Sequence, residues 1–294
     1  MQIAFLCLGV MGAPMAGHLA RAGHAVRVYN RSAGPREQWL ARYGDTGGRA
    51  FETPAEAAAG ADFVMACTGR DADLREITRA GQGAFEAMGE GSVFVDHTTV
   101  SASLARELAA EAESRGLGWL DAPISGGQVG AERGELTIMV GGEESVYVRA
   151  SPLLDAYAKK HLLMGPAGSG QLSKMVNQIC IAGLVQALAE GLHFAKRSGL
   201  DAERVVDVIA HGAAQSWQMD NRASTMLRGE FDFGFAVDWM RKDLGIALDE
   251  AERCGATLSV TSAVDALYAE IQARGGSRWD TSSLIALLEP PEKG

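Results

Sequence analysis

The chain has 294 residues, four cysteines and a formal net charge of −10. That length is long for one core and comfortable for two domains, and the acidity disfavours nucleic acid or an anionic membrane surface as a partner. The cysteines at 7, 67, 180 and 254 show no metal-ligand spacing, and neither a basic leader nor an apolar run of about 20 residues is read, so disulfides, bound metal and a membrane span are not expected and a reducing cytoplasm is.

The first predicted strand, residues 3–8, is apolar and runs into Gly9-Val10-Met11-Gly12, which opens an alanine-rich amphipathic segment. A strand, a glycine turn and a helix in that order let a backbone approach a pyrophosphate at the helix N-terminus. A dinucleotide is therefore the first candidate ligand and hydride transfer the first candidate chemistry. The motif is C-x-G-x-x-G, with Cys7 where the first glycine of G-x-G-x-x-G stands. That glycine serves the tight turn, the second the phosphate approach and the third helix–strand packing, so Cys7 bears on turn geometry more than on the phosphate site.

The next alternating run, 25–29, ends in Asn30-Arg31-Ser32, about 20 residues beyond the glycines, where the ribose is read. An acid there would bind the 2′-hydroxyl of NAD. Arg31 and Ser32 suit a 2′-phosphate instead, so NADP is expected ahead of NAD. Further strands are predicted at 62–68, 92–96, 118–121, 137–141 and 161–165, with helices between them at 54–59, 103–114 and 144–157. This alternation predicts a parallel sheet with helices on both faces.

In such sheets ligands lie beyond the C-terminal strand ends. Thr68-Gly69, Thr98-Thr99 and the stretch 121–127 fall there. Ser125, Gly126 and Gly127 offer a hydroxyl and unencumbered backbone amides, which can form a small anion nest for a carboxylate or simply a turn. His97 reads as a packed or solvated strand-end histidine sooner than as a base.

Near residue 165 the pattern changes. Residues 170–196 carry almost no strand or turn signal and are apolar over most of a helical circumference. A helix of about 25 residues would run about 40 Å and is expected to be buried nearly all round, as the spine of an all-α domain. Later helices are predicted at 202–210, 217–227, 239–254, 259–274 and 282–288. The division expected is 1–164 and 165–294, the helical part completing its core against a second subunit. Lys174 and Asn177 lie three residues apart on that spine, hence on one face. A partly desolvated lysine suits general acid/base work, whereas a lysine near a helix start also reaches solvent readily. Asn177 is an orienting group, since amides do not titrate. Lys242-Asp243 in a predicted helix is open to reading as an exposed charged pair, and 215–221, with Trp217, is a candidate pocket wall.

Four stretches, 9–16, 121–127, 173–178 and 238–244, resemble the signature blocks of the β-hydroxyacid dehydrogenases, a family that includes 3-hydroxyisobutyrate dehydrogenase and tartronate semialdehyde reductase. The resemblance covers essentially the whole chain, with the blocks in order. It implies a Rossmann domain joined by a long helix to a helical domain, as a homodimer or homotetramer. It implies hydride transfer between NADP(H) or NAD(H) and a small carboxylate-bearing β-hydroxyacid or semialdehyde. Lys174 is then the acid/base with Asn177 beside it, and Ser125, Gly126 and Gly127 hold the substrate carboxylate. Thr99 and the Thr68-Gly69 loop flank the cofactor, and Lys242 lines the cofactor and active-site cleft. Two departures touch cofactor geometry: Cys7, and Thr68-Gly69 where Leu-Pro is common. The rival readings are an imine reductase, which commonly carries Asp or Tyr at the position of Lys174, and a non-catalytic dehydrogenase-like scaffold, whose expected mark is loss of that lysine.

Overall fold

Strands covered on both faces read as continuous apolar runs, not as alternating ones, and the opening strand is such a run: Ile3, Ala4, Phe5 and Leu6 are all 0% exposed. A computed structural model describes residues 1–79 and 81–288; 289–294, beyond the last segment expected to be helical, lie outside them. The strands are β1 (Gln2–Leu6), β2 (Ala25–Tyr29), β3 (Arg49–Phe51), β4 (Phe63–Ala66), β5 (Val93–Asp96), β6 (Gly118–Asp121), β7 (Ile124–Ser125), β8 (Leu136–Gly142) and β9 (Ala158–Gly165). The helices of the same region are α1 (Gly12–Arg21), α2 (Ala33–Tyr43), α3 (Pro54–Ala58), α4 (Asp71–Arg79), α5 (Ala102–Ser114), α6 (Gly127–Arg133) and α7 (Glu144–Leu154).

The first six strands are parallel in the order β3-β2-β1-β4-β5-β6. This is the doubly wound order, with its reversal between β1 and β4. The expected parallel sheet is borne out over these strands, and the far edge is mixed: β8 runs antiparallel to β6 and β7, and β9 pairs parallel with β8. The connection after β6 holds only a two-residue strand and the seven-residue α6, and β8 comes back antiparallel.

Helices cover both faces. Met15 and Leu19 of α1, Trp39 and Tyr43 of α2, Ala131 of α6, and Leu153 and Leu154 of α7 pack on Ile3, Phe5 and Met65. Ala57 of α3, Leu74 and Ile77 of α4, and Leu104 and Leu108 of α5 pack on Ala4, Leu6, Val64 and Phe94.

The chain divides into two compact units after Lys174. A continuous helix, α8 (Ser169–Arg197), starts in the first and continues into the second, followed by α9 (Ala202–Ile209), α10 (Trp217–Arg228), α11 (Val237–Cys254) and α12 (Ser259–Ala273). The second unit is all-helical, as expected, around Val185, Leu188, Leu192, Met226, Met240, Leu244, Tyr268 and Ile271. The stretch predicted as a helix at 282–288 is instead a 3-10 segment, Thr281–Leu287. The buried carboxylate of Asp280 accepts from the backbone N (3.0 Å) and hydroxyl (2.6 Å) of Ser282 and pins its start.

Helix α8 departs from its expected all-round burial. Val176, Leu184 and Phe194 are 61%, 41% and 69% exposed, and with Cys180 and Ala187 they form one exposed stripe at helical spacing. The helix is also long and apolar enough to cross a bilayer by length and composition, with a mean hydropathy of 1.3 over its most apolar window, which corrects the reading that no run reaches that length. Scattered polar residues such as Asn177, Gln178 and Gln186 break the run to the eye without lowering the average below that mark. Its other face, through Val185, Leu188 and Leu192, belongs to the core of the second unit.

Candidate active site

The turn after β1 settles what Cys7 does. It sits at φ 75°, the one non-glycine among the described residues in the left-handed region. It therefore adopts the backbone conformation that favours glycine at the first fingerprint position, at a cost of roughly 1–2 kcal/mol. Its N–H donates to the Tyr29 carbonyl at 2.8 Å, carrying the β1–β2 ladder one residue further. Burial pushes its thiol up to about 12, so it stands as a neutral packing group. A Cβ at Gly12 would lie 2.0 Å from the Cys7 carbonyl oxygen, so the third glycine is what allows α1 to start against the strand end. At Gly9 a Cβ would meet no protein atom within 4 Å, and a phosphate can come up to the backbone there. The first turn of α1 holds no acid and no side-chain cap; Ala13 and Met15 donate back to the Gly9 and Met11 carbonyls and Pro14 has no N–H, which leaves the Gly12 N–H as the donor at that end. This arrangement fits the pyrophosphate of a dinucleotide.

At the end of β2 the Asn30 side chain turns back toward the glycines. Its Oδ1 accepts from Leu8 N at 2.9 Å and its Nδ2 donates to Ser32 Oγ at 3.0 Å. Asn30 thus braces the turn, while Arg31 and Ser32 are exposed. The loops after β4 and β5 are knitted together: Thr68 N donates to Thr98 Oγ1 at 2.9 Å, the two hydroxyls lie 3.2 Å apart, and Thr98 N donates to Asp96 Oδ1 at 3.0 Å. Gly69 and Thr99 are half-buried beside them.

His97 is buried, with Nδ1 2.7 Å from the Ala122 carbonyl and Nε2 2.9 Å from the Tyr157 hydroxyl. A carbonyl only accepts, so Nδ1 carries the proton and Nε2 accepts from Tyr157. Burial lowers its pKa to about 4. It is a neutral packing residue, in line with the sequence reading.

Beyond β6, Ser125 ends the short β7, half-buried, and Gly126 and Gly127 follow at φ 131° and 62°. Asp121, fully buried, accepts from Gly168 N at 2.7 Å and Gln171 N at 3.0 Å, and so anchors the start of α8 to the end of β6. Burial raises its pKa while these backbone donors oppose the rise. Lys174 follows one turn on, only 7% exposed. The first unit therefore carries the glycine turn, residues 30–32, Thr68-Gly69, Thr99, residues 125–127 and Lys174 on segments that leave the C-terminal ends of its strands or are anchored to them.

In the second unit a chain of polar contacts links α8 to α11. Asn177 Nδ2 donates to Gln178 Oε1 at 2.8 Å, and Gln178 Nε2 donates to Asp243 Oδ2 at 2.7 Å. Asp243 in turn pairs with Lys242 at 3.1 Å. Asp243 is 2% exposed, so this is not the exposed charged pair that the sequence left open. Trp217 is exposed at the start of α10, its ring 5.0 Å from the Arg222 guanidinium. Asp121, Gln178 and Asp243 were not singled out as site residues from sequence; the polar types within the 121–127, 173–178 and 238–244 blocks were the only signal.

Residues 2–165 match the model of the NAD binding domain of 6-phosphogluconate dehydrogenase, and residues 168–288 match that of the NAD-binding domain of NADP-dependent 3-hydroxyisobutyrate dehydrogenase. An uncharacterized oxidoreductase of Shewanella frigidimarina is 56% identical, over 98% of both chains. The 2-hydroxy-3-oxopropionate reductase of Escherichia coli is 34% identical over 98% of this chain and 97% of its own. The structure of Mycobacterium tuberculosis 3-hydroxyisobutyrate dehydrogenase with L-serine superposes with a TM-score of 0.87 at 34% identity, covering 98% of this chain and 99% of that one. The chain belongs to the β-hydroxyacid dehydrogenase family and is an NAD(P)-dependent oxidoreductase.

Proposed function

We propose that this β-hydroxyacid dehydrogenase interconverts a small carboxylate-bearing semialdehyde and its β-hydroxyacid, with NADP(H) preferred to NAD(H) and Lys174 as general acid/base. The observation that carries the reading is Lys174 itself: a lysine 7% exposed, on a helix whose start is anchored to the end of β6 through Asp121. A structural lysine so close to a helix start would ordinarily run its amine out to water. The names of the relatives support the substrate class, since 3-hydroxyisobutyrate and 2-hydroxy-3-oxopropionate are both carboxylates with an oxygen function on the third carbon.

A nicotinamide cofactor held by its pyrophosphate at the glycine turn would supply the hydride exchange that interconverts aldehyde and alcohol. For reduction, Lys174 as ammonium donates a proton to the oxygen as negative charge develops on it; for oxidation, the neutral amine takes the hydroxyl proton. The Ser125 hydroxyl and the Gly126 and Gly127 amides hold the substrate carboxylate, fixing the carbonyl in a near-attack orientation. Gly9, Val10, Met11 and Gly12 receive the pyrophosphate, and Arg31 with Ser32 pairs a 2′-phosphate. Thr68, Gly69 and Thr99 flank the nicotinamide half. Asn177, placed beside Lys174 by the family resemblance, binds and orients the substrate, and Lys242 lines the cofactor and active-site cleft. The protein is assigned to the cytoplasm as a homodimer or homotetramer, the exposed Val176, Leu184 and Phe194 stripe of α8 serving as the face to be covered.

The test is cofactor loss with NADPH or NADH against glyoxylate, tartronate semialdehyde, succinic semialdehyde and methylmalonate semialdehyde. Turnover of one of them, faster with NADPH, supports the reading. Cofactor binding with no turnover of any would contradict it and favour imine reduction or a scaffold role.

A further inference from the structure

We propose that Gln171 is a positioning residue, whose buried amide ties the helix carrying Lys174 to the loop that carries Thr99. The proposal rests on the acid/base reading of Lys174 and adds to it the device that sets where the lysine stands. Gln171 is 0% exposed, and both ends of its side chain are used. Its Oε1 accepts from Val100 N at 3.1 Å and its Nε2 donates to the Thr98 carbonyl at 2.8 Å. These two groups flank Thr99, so one amide brackets the loop on either side of it. An amide carries donor and acceptor together. A leucine of similar length would fill the volume but leave a buried N–H and a buried carbonyl unpaired.

The bracket holds at both ends. On the helix side, Gln171 N donates to Asp121 Oδ2 at 3.0 Å and Gly168 N to Oδ1 at 2.7 Å. A Cβ at Gly170 would lie 2.5 Å from the carbonyl oxygens of both Asp121 and Met139, so the first turn of α8 is pressed onto the sheet and has no room to slide. On the loop side, Thr98 receives Thr68 N on its hydroxyl at 2.9 Å and gives its own N–H to Asp96 at 3.0 Å. A path of hydrogen bonds thus runs from the Thr68-Gly69 loop through Thr98 and Gln171 to the helix. Lys174 is three residues further, about 4.5 Å along the axis on the same side. Within one helical turn, a shift at Gln171 reaches Lys174 nearly undiminished.

The experiment compares full-length wild type with Gln171→Leu and Gln171→Glu. Amide exchange is followed by mass spectrometry at Thr68 and Val100, and turnover with NADPH and the best-used semialdehyde is measured across pH. In Gln171→Leu both amides should exchange faster, and kcat should fall roughly 10- to 100-fold, the scale of an ångström-level misplacement. In Gln171→Glu the introduced carboxyl, when protonated, can repeat both bonds, its O–H to Thr98 and its carbonyl oxygen from Val100, whereas the ionised form cannot donate. The activity of Gln171→Glu relative to wild type should therefore rise as pH is lowered, which a space-filling role would not produce. If Gln171→Leu does not fold, Gln171→Glu carries the same two readouts. Unchanged exchange at Thr68 and Val100, or a Gln171→Glu deficit flat across pH, overturns the proposal. Should wild type bind NADPH yet reduce no semialdehyde, the acid/base reading fails by itself. Exchange alone then decides the tie: faster exchange upholds it and unchanged exchange overturns it.

Discussion

Lowering the pH from 7 to 5 should remove the stability that the buried, neutral His97 contributes, alongside a change of the same sign from His24, whose pKa burial also lowers, and an opposing one from Asp121, whose pKa burial raises. The His97 imidazole is fully buried beneath the end of β5, held by the Ala122 carbonyl at 2.7 Å and the Tyr157 hydroxyl at 2.9 Å. Burial lowers its pKa from an ordinary 6.5 to about 4. The unfolded chain therefore takes up a proton near pH 6.5 while the folded chain does not until near pH 4, so stability is full above the upper value and lost as pH falls toward the lower. Each pH unit in that window is worth 1.36 kcal/mol per proton. From pH 7 to pH 5 the contribution is roughly 2 kcal/mol, a large fraction of the stability of an ordinary domain. Urea unfolding at the two pH values measures the total, and the exchange rate of the His97 C2 proton across pH reads its titration directly. A His97→Gln variant should lose about that much of the pH dependence. A titration midpoint at or above 6.5, or an unchanged pH slope in the variant, would refute the reasoning.

Two glycines of the same turn should respond differently to alanine. Gly12→Ala drives a Cβ to 2.0 Å from the Cys7 carbonyl and should cost roughly 1–3 kcal/mol of stability. Gly9→Ala, whose Cβ meets no protein atom within 4 Å, should fold normally and still bind NADPH about tenfold or more weakly, as seen by thermal melts and fluorescence titration. Equal melting losses in both would contradict the turn geometry. Arg31→Ala should weaken NADPH roughly 10- to 100-fold, the worth of a charge-assisted hydrogen bond, and leave NADH nearly unaffected; equal losses for the two cofactors would remove Arg31 from the 2′-phosphate.

The doubly wound sheet was legible because its central strands are buried on both faces and read as apolar runs; β1, β4 and β5 are buried almost throughout. Elements that bury little were not. Helix α2 carries Gly34 and Pro35 in its first turn and buries only Trp39 and Tyr43, and the strongly polar α4 buries Leu74, Ile77 and Thr78 alone. The strands β3 and β7 have three and two residues, too few for a period to show. In the site, the glycine turn was readable from residue type and local spacing, whereas spacing left Lys174 open and the family resemblance singled it out. The groups that hold them were not, because they act across long separations. Asp121 meets the start of α8 from 50 residues away, Gln171 meets Thr98 across 73, and Gln178 meets Asp243 across 65. No local pattern encodes such pairs, and each is a polar residue that sequence alone places equally well on a surface. Cys7 was legible as a departure, but only its φ of 75° shows that the turn is kept.

The central claim is that Lys174 moves the proton, and its most direct test is single-turnover NADPH oxidation by wild type and Lys174→Ala with the preferred semialdehyde. The account expects the rate to fall roughly 10²- to 10⁴-fold, the scale of a general acid, with NADPH affinity nearly intact. Equal rates in the two proteins would contradict it.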